Sequence, residues 1–142
     1  MVALEAALES VEAQGGVDTL IANAATLAAS TRAAAKALGL PLLSPNAHGD
    51  ALTALYPPKG LEAGPIVKAL KSEFASTVAG GQGSLKGKIF RVAHLGYYDA
   101  TDIFGFLVSL EIVLSRLGHA FELGAGVAAA QAEYLRRTGA GK

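Results

Sequence analysis

Lys88-Ile89-Phe90-Arg91-Val92-Ala93-His94 reads as a β-strand: β-branched and aromatic residues dominate it, and a glycine-rich segment precedes it. Alternation places Ile89, Arg91 and Ala93 on one face and Phe90, Val92 and His94 on the other. An arginine inside so apolar a strand has two readings. It meets one of the protein's own carboxylates in a salt bridge, or it offers a planar fork from a rigid support to a ligand anion.

On the N-terminal side, Ala79-Gly80-Gly81-Gln82-Gly83 reads as a loop, and Phe74 to Val78 as a short strand. Gly64-Pro65 supplies the N-cap and first residue of a helix running to about Glu73. Two further strands are expected at Ala51 to Tyr56, closed by Pro57-Pro58, and at Leu40 to Leu43, where Pro41 suits an edge. Ser44-Pro45-Asn46 is the turn between them. Further back, Asp18 caps a helix with Leu20, Ala24, Leu27, Ala34 and Leu38 on one face, and Gly39 ends it. Val2 to Ala13 is an earlier helix, stopped by Gly15-Gly16.

On the C-terminal side, Asp99 caps the longest helix, to about Leu117, and Gly118 stops it. Gly124-Ala125-Gly126 opens the last helix, through about Arg137, and residues 138–142 form a tail expected to fray. Strands this closely spaced leave little room for crossovers. The expectation is an α+β fold, with a small, mainly antiparallel sheet covered on one face by helices. Residues 1–142 form one domain, with residues 1–16 as a linking helix. The helix after Asp99 is apolar nearly all round, with Ile103, Leu107, Leu110 and Leu114 on one side and Phe104, Val108 and Ile112 on another. That pattern predicts burial on both sides, and hence contact with protein beyond this chain.

Composition narrows the function. Twelve basic residues balance twelve acidic ones in 142, so no basic excess exists for nucleic acid or an anionic membrane. Cysteine is absent, which removes disulfides, thiolate metal sites and cysteine nucleophiles. Hydrophobic residues reach 51% and charged ones only 17%, an apolar excess that predicts docking on another domain or subunit, unless small alanines inflate it. The longest apolar run, Ile103 to Leu114, has 12 residues and contains Glu111, too short to span a bilayer. Glu5, Glu9 and Glu12 near Met1, with no basic segment beside them, do not read as a signal peptide, and a cytoplasmic location is the expectation.

The familiar motifs fail on spacing. A phosphate loop ending at Gly87-Lys88 needs glycine where Gln82 stands, and a hydroxyl residue where Ile89 stands. Gly81-x-Gly83 is followed by Lys86 where the dinucleotide fingerprint needs its third glycine. His48, His94 and His119 have no metal-ligand spacing, and no nucleophile elbow supports a hydrolase. No metal site and no catalytic residue is predicted. His94, ending a strand beside a loop, is the histidine placed to help shape a site.

The stretch from Ala79 through Arg91 to Gly96 resembles the C-terminal region of class V pyridoxal-phosphate aminotransferases, of the serine–pyruvate or alanine–glyoxylate type, including proteins called soluble hydrogenase small subunit. The likeness extends through Thr31-Arg32-Ala33-Ala34 and Leu38-Gly39-Leu40 to the long helix after Asp99, nearly the whole chain. It implies the small domain of a fold type I enzyme, with Arg91 binding the carboxylate of an amino or keto acid and with Gly81, Gln82 and His94 near the substrate entrance. Val92-Ala93 replaces the more usual Ile-Gly of that strand. Pyridoxal 5'-phosphate is implied for the intact enzyme, bound mainly by a large domain. None is expected on this chain alone, because none of Lys36, Lys59, Lys68, Lys71, Lys86, Lys88 or Lys142 sits in the family's cofactor-lysine context. The chain alone is therefore predicted inactive, with the large domain or a second subunit as partner and a homodimer as the intact enzyme. Two other readings stay open: a non-catalytic dimerisation or subunit-interaction domain, and a free-standing small-molecule sensor.

Overall fold

The computed structural model describes residues 2–139, with nothing to say of the Val2 side chain. The element order is α1 (Val2–Ala13), α2 (Gly16–Ala37), β1 (Leu52–Leu55), α3 (Ala63–Phe74), β2 (Ala79–Gly80), β3 (Phe90–Ala93), α4 (Ala100–Arg116) and α5 (Ala125–Thr138). The three strands form one antiparallel sheet in the order β1-β3-β2, so the strand carrying Arg91 is central. Arg91 faces Ala54 on one side and Ala79 on the other.

One face of this sheet is the floor of the core. Thr53 and Leu55 of β1 lie opposite Val92 and Phe90 of β3, and all four are buried. Phe90, fully buried, meets Leu27 of α2, Ile66 and Leu70 of α3, and Leu107 and Leu114 of α4 in one apolar cluster. The α+β architecture with helices over one sheet face is as expected from the sequence.

Several boundaries move, each for a local reason. Phe74 belongs to α3 and not to a strand: Ala75 adopts the left-handed conformation at φ 52°, and the Ser76 N–H donates back to the Leu70 carbonyl at 3.1 Å. That helix-ending motif consumes the segment read as a strand, and the strand falls instead at Ala79–Gly80, within the stretch read as a loop. Leu40 to Leu43 is likewise no strand. Its Leu40 N–H still terminates α2 on the Ala35 carbonyl, Pro41 has no N–H to give, and a lone bridge joins Leu42 to Leu55. Asp18 lies in the first turn of α2 and not at its cap, because Gly15, at φ 98°, already turns the chain. Glu62 is the N-cap residue of α3, without a side-chain capping bond, two residues ahead of the expected Gly64.

Asp99 caps α4 as read, and does so with Asp102 in a reciprocal capping box. The second apolar side of α4 finds most of its cover inside the chain. Phe104 packs edge-on against Tyr134 of α5 at 5.8 Å between ring centres, and Ile112 is half-buried, while Val108 stays 47% exposed. Within the chain, α3 and α5 flank this helix. Of the tail read as frayed, Thr138 ends α5 and Gly139 follows in a left-handed cap, while residues 140–142 lie outside the described residues. Among the described residues no helix is long and apolar enough to cross a membrane.

Candidate carboxylate site on the central strand

Arg91 projects from the sheet face away from the helices. Its neighbour Ala93 is exposed, whereas Ile89 is buried under the loop that follows β2. The guanidinium is held from one end. Arg91 Nε donates to the Gly80 carbonyl at 3.0 Å, and among the described residues the terminal nitrogens make no hydrogen bond and no ion pair. A side chain pinned at Nε over a neighbouring strand has its two outer N–H groups aimed as a unit. That geometry suits a carboxylate, which accepts two parallel bonds.

Gly81 belongs to the support of this arginine. The Gly81 N–H donates to the Ile89 carbonyl at 3.0 Å, and a Cβ placed on Gly81 runs into the Leu85 carbonyl and the Ile89 side chain. Glycine is required there for close backbone approach. Gln82 is exposed and caps the short 3-10 turn Gly83–Leu85 with its backbone. A Gly81→Ala variant is expected to lose about 1–3 kcal/mol by overpacking, read from denaturant unfolding. Unfolding midpoints equal to wild type contradict the close approach.

His94 stands elsewhere. Its ring, 1% exposed, lies on the core side of the strand, with Nε2 and the Thr53 hydroxyl hydrogen-bonded at 2.9 Å. The structure does not bring His94 together with Arg91. Burial first, and then the nearby Arg32 cation, hold the His94 pKa down to about 4, against an opposing pull from Asp50. The folded state therefore keeps this imidazole neutral while the unfolded chain takes up a proton below about pH 6.5. Stability supplied by the neutral ring is present above pH 6.5 and is lost as pH falls through 4, with a ceiling of about 3 kcal/mol. Urea unfolding at several pH values is expected to show this decline in the native chain and a flatter profile in His94→Gln. Parallel profiles contradict it.

The sequence reading missed two buried polar features. Arg32, conspicuous only as part of a resemblance, is mostly buried and donates through Nη2 to Asp50 at 2.9 Å. Glu111, 2% exposed in the middle of α4, accepts hydrogen bonds from the Gly124 and Val127 N–H groups at the start of α5. Periodicity gives no hint of the second, since its partners lie on another element.

Pyridoxal phosphate, which the resemblance implies, needs a sheltered lysine and groups to hold the pyridine and phosphate. The six lysines among the described residues, Lys36, Lys59, Lys68, Lys71, Lys86 and Lys88, are all exposed; Lys142 lies outside them. These residues do not assemble a cofactor cradle. Among the described residues no group of His, Asp or Glu side chains is placed to hold a metal ion.

No protein-family model matches the chain. Similarity to individual proteins is extensive. The soluble hydrogenase small subunit of a Synechococcus species is 42% identical over 129 residues, which make up 90% of this chain and 33% of that protein. The L-aspartate–glyoxylate aminotransferase of Paracoccus denitrificans is 33% identical over 139 residues, 96% of this chain and 35% of its own length. Among solved structures, the ureidoglycine–glyoxylate aminotransferase of Bacillus subtilis superposes with a TM-score of 0.82 at 27% identity, over 89% of this chain and 33% of that one. The chain thus spans about a third of the length of the relatives it matches. By sequence and by fold, it is a partial homologue of the class V aminotransferases and of the soluble hydrogenase small subunits.

Proposed function

We propose that this chain is the substrate-binding small domain of a pyridoxal-phosphate-dependent aminotransferase, in which Arg91 anchors the carboxylate of the amino or keto acid. The observation that carries the reading is the guanidinium itself: central in the sheet, fixed at Nε by Gly80, and unpaired at its outer nitrogens among the described residues. Glyoxylate recurs in the names of the relatives, and it is a small keto acid with the single carboxylate that one guanidinium fork would hold. The cofactor supplies the amino-transfer chemistry when bound. This chain's part is to seat the acid in one orientation and to present a wall of the pocket whose other walls lie in a large domain. On this reading the chain alone does not transaminate, and the intact enzyme is a homodimer in the cytoplasm.

The test is spectroscopic. With pyridoxal phosphate, a protein that joins this chain to a large domain is expected to develop the visible band of bound cofactor, and that band is expected to change on adding an amino acid. The 142-residue chain is expected to show neither. A band on the chain alone, or none on the longer protein, contradicts the proposal.

A second reading, a subunit-interaction domain, is favoured by one specific feature. Leu4 and Leu8 of α1 and Val17 and Ile21 of α2 are spaced one turn apart on their helices, and each is more than half exposed. The names of two relatives, both soluble hydrogenase subunits, agree with it. Sedimentation of the isolated chain separates the readings: a stable dimer that persists when Leu8 and Ile21 are replaced by Gln contradicts an interface at this stripe.

A further inference from the structure

Away from Arg91, a second guanidinium is only half satisfied. Arg32 Nη2 is bound to Asp50, but Arg32 Nη1 is enclosed by protein and has no hydrogen-bond partner among the described residues. A buried cationic N–H without an acceptor is costly, and an oxyanion is the partner that best relieves it.

Arg32 lines two neighbouring spaces. The inner one is a chamber of about 160 Å³ behind the loop of residues 43–49, with Ser44, His48 and Thr53 as its other polar walls. The outer one is a cleft of about 520 Å³ between α2, α5 and the same loop, where Lys36 and Arg137 join Arg32 and His48 over the apolar Ala33 and Leu40. Leu42, His48 and Arg32 line both. Arg91 lines neither.

The charge balance favours an anion. Asp50 is engaged by Arg32, and Glu133, in the cleft wall, is shared by Arg136 and Arg137. Lys36, one turn beyond Arg32 on α2, is exposed and forms no ion pair among the described residues. The cleft is therefore net positive in a chain whose formal charge is zero. The chamber holds the volume of about five waters, enough for one small oxyanion and too little for a nucleotide.

We propose that Arg32, with Ser44 and His48, forms a binding site for a small oxyanion, phosphate or a simple carboxylate, which enters past Lys36 and Arg137. The site stands independently of any role for Arg91. Titrating the isotopically labelled 142-residue chain with inorganic phosphate, and separately with acetate, at ionic strength held constant with chloride, tests it by NMR. One of the two anions is expected to give saturable shifts centred on the Arg32 Nε–H and the Ser44, His48 and Gly49 amides. Saturation by phosphate assigns the site to phosphate, and saturation by acetate assigns it to carboxylates.

Arg32→Lys keeps the charge toward Asp50 but loses the fork, and is expected to weaken binding by about tenfold or more. Should that variant fail to fold, Lys36→Gln, at an exposed position, is expected to weaken binding about two- to fivefold. Arg91→Gln is expected to leave it unchanged. Linear shifts spread over the surface with both anions, undiminished binding in folded Arg32→Lys or in Lys36→Gln, or loss of binding in Arg91→Gln would each overturn the proposal.

Discussion

Replacing Arg91 by alanine in a protein that joins this chain to a large domain is expected, on the proposed function, to lower kcat/KM for the amino acid by about 10- to 150-fold. The range follows from one charge-assisted hydrogen-bonded contact, worth about 1.5–3 kcal/mol. The loss should fall on both half-reactions, because amino and keto acids carry the same carboxylate. Arg91→Lys is expected to recover little. A lysine from β3 reaches toward the same space, but it offers a point charge instead of a planar pair of donors, and it gives up the bond from Nε to the Gly80 carbonyl that aims the group. Steady-state kinetics with donor and acceptor varied in turn measure both effects. Alanine and lysine variants with wild-type kcat/KM remove Arg91 from the site.

The largest stability loss is expected at Glu111. Its carboxylate sits beneath the first turn of α5, where the helix dipole and unpaired N–H groups favour a negative charge. Glu111→Ala leaves the Gly124 and Val127 N–H groups without their acceptor and opens a cavity against Leu38 and Gly126, so a loss of about 3–5 kcal/mol is expected. Glu111→Gln keeps the shape and one acceptor oxygen, and should cost about 1–2 kcal/mol. Urea denaturation of the chain gives both values. A Glu111→Ala variant as stable as the native chain means that α5 is capped some other way.

Such a carboxylate shows where sequence reading stops. Glu111 interrupts an apolar helix, and from the chain order it served only to argue against a membrane span. Its partners lie 13 and 16 residues away on an element whose packing no local pattern reveals. The central strand was legible because alternation is local: Phe90 and Val92 inward, Arg91 outward. The strand expected at Phe74 to Val78 failed because the periodicity of Ile66, Leu70 and Phe74 carries on as helix, and β-propensity alone does not show that Ala75 takes a left-handed turn. At the candidate site, the outward direction of Arg91 was legible from alternation, whereas the close backbone approach that requires glycine at Gly81 was not, because it is made with Leu85 and Ile89 across the turn. The polar cluster of Arg32, Asp50, Thr53 and His94 was not legible either, since it joins α2, the loop before β1, β1 and the end of β3 across the fold.

The central claim is that the outer nitrogens of Arg91 hold a substrate carboxylate. A crystal structure of a protein that joins this chain to a large domain, with a keto acid bound, tests it most directly. The predicted result is two parallel hydrogen bonds from the Arg91 guanidinium to the ligand carboxylate, with Nε still on the Gly80 carbonyl. An Arg91 paired with a protein aspartate or glutamate, and a ligand carboxylate seated on other residues, would contradict it.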